Sequence, residues 1–239
     1  MSRGGGVTIR GDWPGSVVLR SGWAKAHARP WNDADRSASL RFERGSADFL
    51  HACAQALFAL DVPAVYSAPV HRSGQGIWER AGFEPDRQLI LMERSLPRHY
   101  PSDLPSVDKA TVDDVAAIDS LAFEPDWQIG RLGLVDALGA TVQAEILSVG
   151  DGFALVGVSG PVAYLQRLAV HPAAQGKGVG KTLVWIAMRW ARSSGARSIM
   201  LNTQPDNHRA TALYRSMGFE VAAERLTVLR ITKPSPRRA

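Results

Sequence analysis

The residues with the clearest chemical potential form a short loop, "QGKGVGKT", from Gln175 to Thr182. Glycine lets the backbone adopt positive φ angles and approach a ligand closely. An apolar stretch precedes this loop and a helical pattern follows it, so several unpaired backbone N–H groups would point at one place. The helix dipole adds partial positive charge there. We therefore predict an anion site, and consecutive donors over several residues suit a diphosphate.

Two familiar nucleotide-binding patterns fit this loop poorly. The P-loop pattern is met at Gly180, Lys181 and Thr182, but its first glycine position holds Gln175. The dinucleotide fingerprint needs a glycine where this chain has Lys181. A third pattern, Q/R-x-x-G-x-G/A, is met by Gln175, Gly178 and Gly180. A nucleotide hydrolase that binds ATP with magnesium stays open as an alternative at this point.

The elements before the loop read as strands. "VQAEILSV" and "GFALVGVS" predict a hairpin around residues 150–152, because apolar runs flank a Gly-Asp-Gly turn. "VAYLQRLAV" predicts a third strand, which Pro172 ends because proline has no N–H to donate. Further upstream, Thr111 and Asp114 have the spacing of a capping box and predict the start of a helix.

The elements after the loop read as helix, strand and helix. The helix after Gly180 should bury one stripe of apolar side chains. Its members recur at helical spacing: Leu183, Ile186, Ala187, Trp190 and Ala191. "RSIMLNT" predicts a strand, Asn207 predicts the N-cap of the next helix, and Gly218 predicts its left-handed end.

A repeat divides the chain. "SAPVHRSGQGIWERAGFE" at 67–84 matches "TQPDNHRATALYRSMGFE" at 203–220 without a gap, and Trp78 pairs with Tyr214. Each segment lies between two apolar stretches, so each half predicts strand, helix, glycine turn and strand. A repeat this long is too long for a solenoid. It indicates two copies of one domain.

We place the first copy at 1–98, a proline-rich linker at 99–106, and the second copy at 107–239, ending in the basic tail "KPSPRRA". The second copy has the glycine loop. The corresponding part of the first copy has only Gly45. We therefore predict a degenerate N-terminal domain and a C-terminal domain that carries the activity.

Composition excludes several classes of protein. The chain has 239 residues, a formal net charge of +5, 45% hydrophobic residues and 21% charged residues, which is ordinary for a globular protein. Its single cysteine, Cys53, can form neither an internal disulfide nor a zinc cluster. No apolar run approaches the length of a membrane span, and no basic stripe interleaved with aromatics indicates nucleic acid. We expect a cytoplasmic protein with no membrane partner, no nucleic-acid partner and no metal.

Two motifs together give a resemblance. "LAVHPAAQGKGVGKTLV" followed by "NHRATALYRSMGFE" resembles the GCN5-related N-acetyltransferase (GNAT) superfamily over Val107 to Ile231. The resemblance implies an α/β (α+β) fold, with a mixed, mostly antiparallel central sheet flanked by helices, here as two pseudo-repeats. It also implies acetyl-CoA as cofactor and a primary amine, on a small molecule or a protein, as acceptor. The oligomeric state stays open.

The resemblance also implies which residues bind the cofactor. The strand end would pair with pantetheine and the loop would hold the pyrophosphate, while Asn207 would contact the pantetheine arm in addition to capping its helix. These positions are Leu168, Ala169, Val170, Gln175, Gly176, Lys177, Gly178, Val179, Gly180, Lys181, Thr182 and Asn207.

Tyr214 matches the general acid of the family. Its phenol would protonate the coenzyme A thiolate as that group leaves. Helical spacing alone would make Tyr214 one more core aromatic, and the "ALYRSMGF" context favours the catalytic role. The partner position in the first copy, Trp78, cannot donate an acidic proton. Only one copy is therefore expected to be active.

The general base is not evident. An alkylamine with a pKa of about 10 must lose a proton before it attacks. The strand before the loop holds Tyr164, Gln166 and Arg167 where many relatives have a glutamate. Trp127 lies in the variable segment that would line the acceptor cleft. The carboxylates left for the role, directly or through water, are Glu124, Asp126 and Glu145. A non-catalytic acyl-CoA sensor or scaffold is the alternative function.

Overall fold

The computed structural model describes residues 6–234. The chain divides into two compact units, one made of the residues up to Leu89 with those from Arg225 onward, the other of Ile90–Glu224. The predicted basic tail lies almost entirely outside the described residues. Two long strands, β7 (Glu84–Ser95) and β12 (Glu220–Thr232), each run from one unit into the other.

The compact units differ from the division at 99–106, because that linker lies inside the second unit. The physical reason is strand pairing. The end of β7, Ile90 to Ser95, pairs antiparallel with a strand of the second unit. Residues 230–232 of β12 pair antiparallel with a strand of the first unit. The two copies seen in the sequence stay a prediction, while part of β7 belongs to the second unit and part of β12 to the first.

The second unit alternates helices and strands. A 3₁₀ turn at Pro125–Trp127 follows α3, and another at Pro172–Ala174 follows β10. Its elements are α3 (Val112–Ala122), α4 (Gly130–Leu138), β8 (Gln143–Val149), β9 (Gly152–Ser159), β10 (Val162–Val170), α5 (Val179–Ser193), β11 (Ser198–Thr203) and α6 (His208–Ser216).

The sheet of the second unit is mixed and mostly antiparallel, as expected. Strands β8, β9 and β10 form antiparallel neighbours, β10 and β11 are parallel, and β11 pairs antiparallel with the end of β7. One face packs on α5, whose predicted stripe is buried at Leu183, Ile186 and Ala187. The other face packs on α3 and α4 around Leu134 and Phe153. This arrangement leaves the carboxyl end of β10 between the two helical layers.

Helix α3 begins at the predicted capping box. The backbone N–H of Asp114 donates to Thr111 Oγ1 at 3.2 Å, and the N–H of Thr111 donates to Asp114 Oδ2 at 2.8 Å. Both N-terminal donors are thereby satisfied. The helix ends at Phe123, which has an extended backbone. The helix buries Val115 and Asp119.

The first unit has the same kind of sheet. Strands β1 to β4 are antiparallel neighbours, β4 and β5 are parallel, and β5 pairs antiparallel with β12. One core packs α1 and α2 on this sheet. Its elements before β7 are β1 (Thr8–Arg10), β2 (Val17–Ser21), β3 (Ala24–Pro30), β4 (Ala38–Arg44), α1 (Ala47–Phe58), β5 (Ala64–Ser67), β6 (Val70–His71) and α2 (Arg72–Arg80).

The two repeated segments have the predicted local structure. Each contains the end of a strand, a nine-residue helix and a turn whose glycine has a positive φ, +89° at Gly82 and +80° at Gly218. Trp78 packs edge-on against Phe83 at 4.9 Å between ring centroids. Tyr214 and Phe219 form the equivalent pair in the second segment, so both segments have a packing role.

Candidate functional site

A gap in the sheet creates the site. Strands β10 and β11 pair only as far as Leu165 and Leu201, whereas β10 continues to pair with β9 up to Val170. A bulge falls between Leu165 and Arg167 and breaks the register. Bulges bend a strand and end local pairing. The last residues of β10 therefore keep a backbone edge open toward β11.

A cavity of about 370 Å³ lies at this open edge, within the second unit. The end of β10, the glycine loop, the start of α5 and one face of α6 line it. The lining residues are Ala122, Phe123, Leu168, Ala169, Val170, Ala174, Gln175, Gly176, Gly178, Gly180, Lys181, Asn207, Arg209, Ala210, Leu213 and Tyr214. The structure thus brings the predicted strand end, loop, Asn207 and Tyr214 together.

The glycine loop leaves the start of α5 open to a ligand. Gly176 and Gly178 have φ angles of +82° and +86°, which disfavour residues with a Cβ. Gly178 is the N-cap and offers no side-chain hydrogen bond. The first N–H to bond inside the helix is that of Thr182, to the carbonyl of Gly178 at 3.0 Å. The three preceding N–H groups lie before the first intrahelical bond, which makes this end a place for an anion.

The corresponding helix of the first unit is closed. Ser46 caps α1 by accepting a hydrogen bond from the N–H of Phe49 at 3.2 Å, and Asp48 lies in the first turn. The Ser46 side chain satisfies one free N–H group of this helix end, and the Asp48 carboxylate places a negative charge where an anion would bind. The prediction that the first copy lacks an anion site therefore has a physical reason.

Two lining side chains, Gln175 after the 3₁₀ turn and Arg209 on α6, are joined by a hydrogen bond. Gln175 Nε2 donates to the carbonyl of Val170 at 2.9 Å, and Arg209 Nη1 donates to Gln175 Oε1. Arg209 is exposed, and it was missed in the sequence because arginines are common on helix surfaces. Asn207 Oδ1 accepts from the N–H of Ala210 at 3.0 Å, so the predicted N-cap is confirmed.

Tyr214 is a buried phenol at the cavity wall. Its side chain is 6% exposed, and its ring packs on Phe219 at 5.7 Å between centroids. Burial raises the pKa of Tyr214 above its usual value, and the positive charge of Arg167 lowers it to a smaller extent. The hydroxyl is therefore protonated at neutral pH and can act as a proton donor.

The predicted acids and the predicted aromatic lie elsewhere. Glu124, Asp126 and Glu145 are exposed, and none of them lines the cavity. Trp127 does not line it either, whereas Phe123 does. The lining of this cavity, within residues 6–234, contains no carboxylate. A general base is therefore not part of the cavity wall.

Three predicted cofactor residues also lie outside the lining. Lys177 is exposed, Thr182 is half-buried in α5, and Val179 packs against the main core of the second unit. In the described part of the chain no group of three metal-ligating side chains is placed to hold an ion. No helix among residues 6–234 combines the length and the apolar character that crossing a membrane requires.

Comparison with known families finds a match in the second unit. Residues 140–219 fit the model of the Acetyltransferase (GNAT) family. That range begins near β8 and ends just after α6, so it contains the glycine loop and Tyr214.

Comparison with known sequences finds acetyltransferases. A mycothiol acetyltransferase of Pseudarthrobacter chlorophenolicus is 28% identical over 222 residues, which cover 78% of this chain and 68% of that protein. An aminoglycoside N(6')-acetyltransferase type 1 of Stenotrophomonas maltophilia is 34% identical over 73 residues, which cover 30% of this chain and 47% of that protein. Both relatives are named for acetyl transfer.

Comparison with solved structures bears on the fold. A tandem GNAT protein from the clavulanic acid biosynthesis pathway aligns with a TM-score of 0.57 and 16% identity, over 92% of this chain and 83% of that one. A crystal structure from Pyrococcus horikoshii aligns with a TM-score of 0.57 and 15% identity, over 92% of this chain and 74% of that one. The predicted fold class is confirmed.

Proposed function

Because the chain is an acetyltransferase of the GNAT superfamily, we propose that its cavity binds acetyl-CoA and that Tyr214 serves the transfer of the acetyl group to a primary amine. Enzymes of this superfamily use acetyl-CoA as co-substrate. The observation that carries the proposal is that the N-terminus of α5 lines the cavity and has no side-chain cap, whereas Ser46 caps the corresponding helix α1 of the first unit.

The diphosphate of the cofactor would lie at the glycine loop. Backbone N–H groups at the start of α5 would donate to its oxygens, and the helix dipole favours the negative charge. Lys181 and Arg209 line the same cavity and add positive charge. Pantetheine amides would bond to the open edge of β10 from Leu168 to Val170, as a neighbouring strand would.

Tyr214 would serve the chemical step. The neutral amine attacks the thioester carbonyl, the C–N bond forms and the C–S bond breaks. The sulfur leaves with the C–S electron pair and takes the proton of the Tyr214 hydroxyl. The excess proton on the amine nitrogen goes to water, and water returns a proton to the phenolate. A positioned acid of this kind contributes about 10² to 10⁴ in rate.

In this proposal, water accepts the proton that the amine must lose. No carboxylate lines the cavity in the described part of the chain, so the enzyme would take its acceptor from the neutral fraction in solution. The rate at low acceptor concentration then rises with pH until the pKa of the amine is passed. This dependence belongs to the acceptor and should move with it from one amine to another.

The test is the variant Tyr214→Phe, which keeps the ring packed on Phe219. We expect kcat to fall about 100-fold or more, with the calorimetric Kd for coenzyme A unchanged. Tyr164→Phe is the matched control, because Tyr164 is exposed on β10 and does not line the cavity. Full activity of Tyr214→Phe would contradict the role.

Wild-type protein that releases no thiol with any amine would instead support the alternative of an acyl-CoA sensor. A thermal-shift comparison distinguishes both the acetyltransferase and the acyl-CoA sensor from a nucleotide hydrolase. Acetyl-CoA at about 100 times its Kd should add roughly 2.7 kcal/mol of stability, whereas ATP with magnesium should add none. Stabilisation by ATP with magnesium alone would contradict the proposed cofactor.

A further inference from the structure

A buried ion pair lies behind the cavity wall. Arg167 Nε donates to Asp119 Oδ1 at 2.5 Å, and their side chains are 12% and 0% exposed. Arg167 comes directly after the bulge of β10, and Asp119 lies on the inner face of α3. Removing two charges from water is costly, so a buried pair of this kind is weak evidence for stability alone. Its contacts indicate another role.

Each partner also holds the segment of residues 123–129, which connects α3 to α4. Arg167 Nη2 donates to the carbonyl of Trp127 at 2.7 Å, and the N–H of Ile129 donates to Asp119 Oδ2 at 3.0 Å. Within the segment, Gln128 Nε2 donates to the carbonyl of Phe123 at 3.1 Å. These bonds help to fix a stretch that contains only one short 3₁₀ turn.

The same guanidinium touches the cavity lining. Its central carbon lies over the Phe123 ring, 3.5 Å from the ring centroid, so the cation contacts the face of the ring. Phe123 lines the cavity together with Tyr214. The charge of Arg167 also acts on Tyr214. The ion pair thus reaches the two aromatic side chains at this end of the cavity.

We propose that Arg167, paired with Asp119, is a positioning residue that holds Phe123 as the wall limiting the length of the acyl chain. This inference rests on the proposed function of the cavity. A planar guanidinium can bond a carboxylate, bond a carbonyl and stack on a ring at once, which an ammonium cannot do. Arginine is therefore the residue type that the role requires.

The variant pair is chosen to leave no buried charge. Arg167→Met with Asp119→Asn removes both charges, and the asparagine can still accept from the N–H of Ile129. The matched control is Arg131→Met with Asp113→Asn. That pair joins α4 to α3 at 2.6 Å, and its side chains are 58% and 72% exposed. Both double variants make the same chemical change on α3.

Two readouts test the role. Hydrogen exchange at the amides of residues 127–129 should become faster in the Arg167 double variant and stay unchanged in the control. The ratio of kcat/KM for propionyl-CoA to that for acetyl-CoA should rise about tenfold, since one methylene discriminated by an apolar wall is worth roughly 10-fold or more. The Kd for coenzyme A should stay within about twofold, because the glycine loop is untouched.

Phe123→Ala provides a second route that leaves the ion pair intact. It should raise the same ratio without faster exchange at residues 127–129. Unchanged acyl selectivity in Phe123→Ala, or unchanged exchange and selectivity in a folded Arg167 double variant, would overturn the inference. If wild-type protein turned over no acyl-CoA, the proposed function would fail with the selectivity claim, while exchange would still decide whether Arg167 positions the segment.

Discussion

The variant Gly178→Ala tests the anion site through the backbone alone. Gly178 has φ +86° and ψ −9° and is the N-cap of α5. A Cβ built there meets no atom within 4 Å, so the substitution adds no clash. The left-handed conformation costs a residue with a Cβ about 1–2 kcal/mol. The whole effect is therefore backbone strain at the residue that opens the helix.

This strain must appear in one of two measurements. If the loop keeps its shape, the protein loses about 1–2 kcal/mol of stability, which lowers Tm by about 2–8 °C for a chain of this size. If the loop relaxes, the N–H groups turn away and the cofactor must restore them on binding. The Kd for coenzyme A then rises about 5- to 30-fold. The two losses should sum to about 1–2 kcal/mol.

Gly195→Ala is the matched control. Gly195 follows the other end of the same helix, has φ +92°, and a Cβ there also meets nothing within 4 Å. It does not line the cavity. Its variant should lose the same stability and bind coenzyme A with the wild-type Kd. Calorimetric titration with coenzyme A and urea unfolding of both variants measure the two quantities.

Two results would refute this reasoning. One is a Gly178→Ala protein with both wild-type stability and wild-type affinity, because the strain would then be absent. The other is equal weakening of coenzyme A binding by Gly195→Ala, because loss of affinity would then follow loss of stability and say nothing about the loop.

Two further predictions follow from single side chains. Arg209→Ala should weaken coenzyme A binding about 3- to 10-fold at low salt and less at high salt, because salt screens the charge of an exposed arginine. Arg215→Ala is the control, since Arg215 is exposed on the same helix and does not line the cavity. Cys53 is buried and burial raises the pKa of its thiol from 9.0 to about 12, so native protein should not react with a thiol reagent at pH 8 and urea should release one thiol. Because the Cys53 thiol loses its proton at lower pH in the unfolded chain than in the folded one, the free energy of unfolding should fall as pH rises from about 9 to 12. Comparison with Cys53→Ala across that pH range isolates this effect.

Much of the second unit could be predicted from local sequence. Thr111 with Asp114, Asn207 and Gly218 act through hydrogen bonds and φ angles within a few residues, so their roles are readable one at a time. The exchange of β7 and β12 could not be read in this way. Strand partners far apart in sequence depend on tertiary packing, and each strand has one short buried run, residues 89–92 in β7 and 226–229 in β12, that local sequence does not assign to either sheet.

The site residues likewise fall into those that a local motif predicts and those that only the fold brings together. The loop and Tyr214 were predicted because each belongs to a continuous motif. The contact of Phe123 with Arg167, and the hydrogen bond of Arg209 to Gln175, join residues that are 44 and 34 positions apart. No spacing rule connects them. The predicted place of Trp127 in the acceptor cleft stays a prediction, and its carbonyl accepts a hydrogen bond from Arg167.

The two long strands that run between the units constrain how the protein folds during synthesis and where it can be truncated. Residues 230–232 complete the sheet that begins at Thr8, and the ribosome adds them after the whole of the second unit. Until they are added, the edge of β5 in the nascent first unit lacks this partner strand, and chaperones shield exposed strand edges of this kind. A genetic truncation meant to isolate the activity should begin before Ile90 rather than at 107, since a later start removes the border strand of β11.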